Sequence, residues 1–359
     1  MTTRASARRE RRGAVICGAY GMGNAGDEAV LASIAASLRR IEADMPVTVL
    51  SRRPEAEGRR IGGEGVHPLR VLRWMRAMKR ARLFISGGGS LLQNVTSRRS
   101  LAYYLFTIRL AKKCGCAVQL YGCGIGPLLD ERARRDTALT LNTCADIITV
   151  RDEASAELLR ELGVSAPRIL LAADPALSLP PGQGEREKCV GFVLRDWPGL
   201  GERLPALAAA ARRCYECYRL TPVFFCFAPA DRGPARAACR LLAAEGIPCS
   251  TSVDARRAGR MSLVISMRLH GLIFALRDGA PAAGISYDPK VDAFCREAGL
   301  PCLPLELAGE EALTALIDEA ALLDGESLSS ALGRLKRRER VNEAAAAQLW
   351  HEYGGETVE

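Results

Sequence analysis

The chain has 359 residues, 48% hydrophobic and 25% charged but only 5% aromatic, with a formal net charge of +9. That length exceeds one ordinary core, so two domains are expected, and no region is polar enough to stay disordered. No apolar run reaches the roughly 18 residues of a membrane span, and Met1–Gly13, with five Arg and one Glu, lacks the apolar segment of a secretory signal, so a cytoplasmic protein is expected.

The elements follow an alternation of short apolar strands and helices. In the first half the strands read 14–20, 47–51, 83–88, 117–124 and 147–152, with helices over 28–41, 101–114 and 155–162. Near-continuous apolar strands alternating with helices predict a parallel sheet covered on both faces. The stretch LSLPPGQGEREK (177–188) is the clearest linker, with two prolines, two glycines and a charge run. The alternation then restarts, with strands at 189–194, 223–229, 263–267, 281–287 and 302–305, and helices at 204–219, 235–245, 272–277, 310–323 and 328–350. The expected fold is α/β: two Rossmann-like doubly wound domains, 1–180 and 181–359, facing a cleft in a glycosyltransferase-B-like layout.

Thirteen scattered cysteines, an odd number without framework spacing, read as reduced thiols, and Cys214-x-x-Cys217 has no second pair to complete a metal site. Basic clusters at Arg4–Arg12, Arg70–Arg82 and Arg98–Arg99 point to an anionic partner. Nucleic acid is not expected, because no aromatic-rich or helix-turn-helix signature accompanies the charge. A phosphorylated substrate or an anionic membrane surface fits better, the latter giving peripheral contact at the inner face of the cell membrane.

Three strand-to-helix junctions carry candidate chemistry. GAYGMGNAGDEAV (18–30) satisfies G-x-G-x-x-G through Gly21, Gly23 and Gly26. Asp27 and Glu28 would repel a diphosphate there, although Arg52 and Arg53 after the next strand keep an NADP-dependent oxidoreductase open. SGGGSLLQN (86–94) places consecutive glycines, including Gly88 and Gly89, where backbone could approach a ligand. SMRLHGLIF (266–274) ends a strand in Arg268-Leu269-His270, pairing a guanidinium fork with a helix start. Arg195, Tyr287 and Lys290 follow other strands at the same level, with Asp196 and Asp288 beside them as potential ion-pair partners. Arg195, Arg268, His270 and Lys290 could converge into one anion pocket.

Taken in order, GNAGDEAVL (23–31), SGGGSLLQN (86–94), YGCGIGPL (121–128), TVRDEAS (149–155), ADPAL (173–177), SMRLHGLIFAL (266–276) and GISYDPKVDAF (284–294) resemble the polysaccharide pyruvyl transferase family, in particular its CsaB-type branch acting on secondary cell-wall polymer. The resemblance implies phosphoenolpyruvate as donor and co-substrate and no other cofactor; no catalytic metal is expected, because no His/Cys/Asp set in the sequence has ligand spacing. It further implies a lipid-linked cell-wall glycan precursor as acceptor, N-acetylmannosamine as the modified sugar, and a 4,6-pyruvate ketal as product with release of phosphate. It places phosphoenolpyruvate on the C-terminal domain through Arg268, Leu269, His270 and Arg195, and the acceptor on the N-terminal domain. Lys290, Tyr287, Asn24, Gly88, Gly89 and Gln93 are further candidate substrate contacts. His270 is the candidate acid and Asp27 or Glu28 the candidate base. Asn94 stands where the family commonly has Asp, and Cys123 where it commonly has Gln. A nucleotide-sugar glycosyltransferase is the alternative enzyme, and a silent polymer-binding scaffold the alternative outside catalysis.

Overall fold

The computed structural model describes residues 11–95 and 97–354. The expectation of a signal-free N-terminus and most of the first basic cluster therefore lie outside the described residues.

Two compact units divide the chain. The first comprises residues 11–22, 27–179 and 336–354. Its seven strands lie in the order β3 (Glu64–Val66), β2 (Val47–Leu50), β1 (Ala14–Cys17), β4 (Leu83–Leu92), β5 (Ala117–Ile125), β6 (Ile147–Val150), β7 (Arg168–Leu171). Every neighbouring pair is parallel. Strand β1 is buried along its whole length, as are β5 and β6, which is why their apolar runs show no alternation. The helices are α1 (Ala25–Ile41), α2 (Pro54–Arg60), α3 (Val71–Arg80), α4 (Arg98–Lys113), α5 (Glu131–Cys144) and α6 (Glu153–Glu161). Among these, α2, α3 and α5 and the edge strands β3 and β7 were not expected. Strand β3 is three residues long and β7 has no fully buried residue, so neither carries a strong hydrophobic signal.

The second unit comprises residues 23–26 and 180–335. Its six-stranded parallel sheet runs β10 (Ser250–Ser252), β9 (Thr221–Phe225), β8 (Glu187–Val193), β11 (Met261–Ser266), β12 (Ala282–Ser286), β13 (Cys302–Pro304). Helices α7 (Leu200–Tyr218), α8 (Arg232–Ala244), α9 (Leu269–Arg277), α10 (Pro289–Ala298) and α11 (Glu310–Ala321) complete it. In each sheet the strand order reverses beside the first strand, the doubly wound arrangement that places ligands at the carboxyl ends of the central strands.

The expected boundary of the second domain at residue 359 is corrected. The last helix, α12 (Gly325–Gly354), begins in the second unit, but its residues from Lys336 onward belong to the first. Arg338 donates to the Ala172 carbonyl at 2.6 and 3.0 Å, and Asn342 Nδ2 donates to Ala173 O at 3.0 Å. Gln119 returns a bond to Asn342 O, and the Arg82 guanidinium lies 4.0 Å over the Trp350 ring. A helical composition announces a helix; it does not announce which core the helix covers. No helix among the described residues is long and apolar enough to cross a membrane.

Candidate active site

The carboxyl ends of β8, β11 and β12 bring three of the expected residues together in the second unit. Arg195, two residues beyond β8, donates through Nη1 to the Tyr287 hydroxyl. Its guanidinium carbon sits 4.8 Å from the Tyr287 ring centroid and 5.1 Å from that of Trp197, and the two rings are 4.6 Å apart. Arg195 has no carboxylate partner among the described residues, so the expected alternative pairing with Asp196 does not form and its charge is offset only by aromatic faces. Burial pushes the Tyr287 phenol above its usual range, while Arg195 and Arg268 both act to lower it. Strands β8, β11 and β12 are neighbours in the sheet, so Arg195, Arg268 and Tyr287 leave adjacent strand ends.

Arg268 follows β11 and is the N-cap of α9. Its Nη2 donates to Asp231 Oδ1 at 2.6 Å, and Asp231 is completely buried. The other oxygen of Asp231 accepts from Ala228 N at 2.8 Å, so the carboxylate is fixed from both sides. Ser266 Oγ accepts from Arg268 N at 3.1 Å and donates to Arg268 O at 2.7 Å, holding the backbone of the junction. The guanidinium Nε is buried and makes no hydrogen bond to protein. Leu269 is 5% exposed, so the contact it can offer a ligand is its backbone at the helix start, not its side chain. Lys290 is paired with Asp288 at 2.6 Å, the alternative the sequence left open; Asp288 also caps α10. The charge of Lys290 is thereby offset.

His270 lies in the first turn of α9 with its ring 6.4 Å from Phe274. Its closest structural relation is to the glycine segment 23–26, which the second unit includes. A Cβ on Gly26 would stand 2.1 Å from His270 Nδ1, so only glycine permits this approach. The segment is anchored by Ala25 N donating to Phe227 O at 2.9 Å and by Asn24 Oδ1 accepting from Gly26 N at 3.2 Å. Gly26 thus makes room for an imidazole, where a dinucleotide fingerprint would use it for close helix–strand packing.

In the first unit the glycine-rich motif is strand, not turn: β4 continues through it to Leu92. A Cβ on Gly87 would strike the Tyr20 hydroxyl at 2.1 Å, and one on Gly88 would meet Val30 at 2.8 Å and Pro175 at 3.4 Å. Protein atoms thus fill the side-chain face of Gly88, which leaves its backbone as the group it could offer a ligand. Gly89, at φ +85°, lies beside the Asp27 carboxylate, at 3.5 Å from its would-be Cβ. Glu28 forms an ion pair with Arg60 at 2.6 Å. Gln93 is partly buried just beyond β4.

The sequence motifs also share a network that their spacing did not reveal. Arg151 of TVRDEAS is buried and donates to Asp174 of ADPAL at 3.2 Å and to Ser90 of SGGGS at 3.0 Å. Asn94 is 6% exposed; its Nδ2 donates to Asp130 at 2.8 Å and its Oδ1 accepts from Leu129 N at 2.8 Å. An aspartate there would confront Asp130, so asparagine suits this chain's loop. Cys123 is a buried thiol pushed up to about 12 by burial and belongs to the core. Asp231 and Trp197 were missed as site residues. Asp231 ends a short 3-10 turn (Pro229–Asp231) beyond β9 without a motif, and Trp197 was passed over beside Arg195 although aromatics are scarce in the chain. Among the described residues, no group of three His, Cys, Asp or Glu side chains could hold a metal ion.

Solved structures with the same fold are numerous. A Listeria monocytogenes protein assigned as a UDP-N-acetylglucosamine 2-epimerase matches at 13% identity and TM-score 0.67, covering 97% of this chain and 98% of its own. Anabaena Alr3699/HepE, solved with UDP and glucose, matches at 12% identity and TM-score 0.60 over 95% of this chain and all of its own. The UDP-GlcNAc 2-epimerase of Methanocaldococcus jannaschii matches at 10% identity and TM-score 0.59, with 90% and 99% coverage. At these identities the likeness establishes a glycosyltransferase-B-like fold and nothing finer. No curated protein sequence matches significantly. The family model for polysaccharide pyruvyl transferases matches residues 24–245, from the glycine segment that meets His270 to the end of α8. With more than half of its length matched by that model, the chain belongs to the polysaccharide pyruvyl transferase family.

Proposed function

We propose that the protein transfers pyruvate from phosphoenolpyruvate to a sugar of a lipid-linked cell-wall glycan, releasing phosphate and leaving a 4,6-ketal. The observation that carries this reading is the placement of Arg195, bonded to Tyr287, and Arg268 beyond the ends of neighbouring strands at the carboxyl edge of the second sheet. Phosphoenolpyruvate concentrates a carboxylate and a phosphate on three carbons and needs two cations close together. Arg268, oriented by buried Asp231, offers a guanidinium edge beside the start of α9. Arg195, held edge-on by the Tyr287 hydroxyl, offers the second fork, and each charge-assisted bond contributes about 1.5–3 kcal/mol.

In the reaction, His270 delivers a proton to the methylene carbon, and C2 becomes oxocarbenium-like. One sugar hydroxyl adds to C2 and gives up its proton to a base, for which Asp27 is the candidate. The second hydroxyl then attacks C2, its proton returning to the deprotonated His270 as the C2–O bond to phosphate breaks; phosphate departs with the proton held by the base, and the ketal closes. N-acetylmannosamine is the sugar the family resemblance favours. The fold neighbours solved with UDP support a second reading, transfer from a nucleotide sugar, in which the same arginines would hold a diphosphate.

Calorimetric titration with phosphoenolpyruvate and steady-state kinetics test the donor assignment. Arg268→Ala should lower kcat/KM by about 10²–10³, the scale of removing one preorganised charge-stabilising donor. Arg268→Lys should not restore it, because a point charge cannot bind bidentately. Near-normal donor use in either variant removes Arg268 from the site.

A further inference from the structure

The first unit contains a cavity of about 960 Å³ at the carboxyl ends of β1 and β2, walled by α3 and α4. None of its lining residues belongs to the arginine cluster of the second unit. Five of its lining residues are aromatic, Tyr20, Trp74, Tyr103, Tyr104 and Phe106, in a chain with 5% aromatic residues overall. Trp74 and Phe106 meet edge to face at 6.1 Å. Several apolar side chains of this wall are left in solvent: Leu69 is 85% exposed, Met22 49% and Phe106 48%. Leu72, also on α3, is 71% exposed.

The polar part of the lining decides the occupant. Arg52, Arg99 and His67 line the cavity, with Ser97 and Ser100 at the start of α4, and no Asp, Glu, Asn or Gln is among the lining residues. A free sugar, whose hydroxyls must donate as well as accept, is bound by carboxylates and amides that are missing from this wall. An apolar chain ending in an anion is matched on both counts. The first turn of α4 supports the anion end: it holds no acidic residue, and of its two arginines Arg98 pairs with Asp130 at 3.5 Å while Arg99 lines the cavity. Cations at a helix N-terminus are unfavourable unless something negative is brought to them.

We propose that this cavity binds the isoprenyl phosphate portion of the acceptor glycolipid, with the hydrocarbon against Phe106, Trp74 and Leu69 and the phosphate against Arg99 and Arg52. The inference rests on the pyruvyl transferase reading for the glycan that the lipid carries; the lipid and its phosphate follow from the cavity. The test is calorimetry on the full chain, below micelle-forming concentrations, with geranylgeranyl diphosphate, geranylgeraniol, inorganic pyrophosphate and anionic phosphatidylglycerol vesicles.

Geranylgeranyl diphosphate should bind at least roughly tenfold more tightly than either the alcohol or pyrophosphate, since only it uses both halves of the cavity. Phe106→Asp, at a half-exposed position, should weaken it by roughly tenfold or more. Arg99→Glu should weaken the diphosphate and leave the alcohol unchanged. Thermal melting of both variants reports that they fold. Equal affinity for pyrophosphate and the isoprenyl diphosphate, insensitivity to Phe106→Asp, or binding confined to vesicles would each overturn the proposal. A phosphoenolpyruvate titration of the unaltered protein separates the two claims. Donor binding without isoprenyl binding sinks the cavity alone, and the converse sinks the donor assignment alone.

Discussion

In the proposed reaction His270 serves phosphoenolpyruvate as an acid or merely as a ligand, and one substitution separates these roles. His270→Gln keeps a hydrogen-bond donor but cannot deliver a proton at neutral pH. The acid role predicts nearly unchanged donor affinity by calorimetry with kcat lowered about 10²–10⁴-fold. Lost affinity with intact turnover at saturating donor would make His270 a clamp. Much of this site was legible in the sequence, because a doubly wound sheet presents the residue after each central strand, and Arg195, Arg268 and Tyr287 all sit at that level. The fit of Gly26 against His270 was not legible, since it joins segments far apart in the sequence. Nor was Asp231, whose importance comes from complete burial beside Arg268 rather than from any pattern. The packing against the side-chain face of Gly88 and the ion pair of Glu28 with Arg60 were not legible either, since both join separate segments.

Two helices carry predictions of their own. On α12, Glu339 is 4% exposed, and burial pushes its carboxyl up to about 7 from 4.5. The fold therefore holds a proton that the unfolded chain releases. This group's contribution to stability is full below pH 4.5 and is lost as pH rises to about 7. Glu339→Gln should flatten that dependence and raise stability at pH 8 by about 1–3 kcal/mol, read from denaturant melts at pH 5 and 8. A variant that melts parallel to the natural chain at both values would show that Glu339 is charged in the fold. On α3, Trp74 and Met78 are buried while Arg73, Arg76 and Lys79 are exposed. Each such cation near an anionic bilayer contributes about 1 kcal/mol, an attraction screened within a Debye length. Co-sedimentation with anionic vesicles should weaken with salt and be largely lost when all three become Glu. Unchanged partitioning would leave α3 as solvated surface. The basic run was plain in the sequence, but its helical form was masked by a pattern with two buried positions in ten residues.

For the molecule as a whole, strand–helix alternation was enough to give two doubly wound sheets and a linker near residue 180, because parallel strands buried on both faces must be apolar throughout. It was not enough to assign the second half of α12, whose partners are backbone carbonyls at Ala172 and Ala173 that no residue pattern marks. The fold itself is shared with nucleotide-sugar epimerases and glycosyltransferases, so it does not choose the donor. That choice rests on the arginine pair and the family match. The most direct measurement supplies the purified chain with phosphoenolpyruvate carrying label in its pyruvyl carbons and a lipid-linked glycan, following label and free phosphate together. The account predicts label entering the glycan with one phosphate released per pyruvyl group, and no requirement for a nucleotide sugar. Consumption of a nucleotide sugar with phosphoenolpyruvate left intact would contradict it.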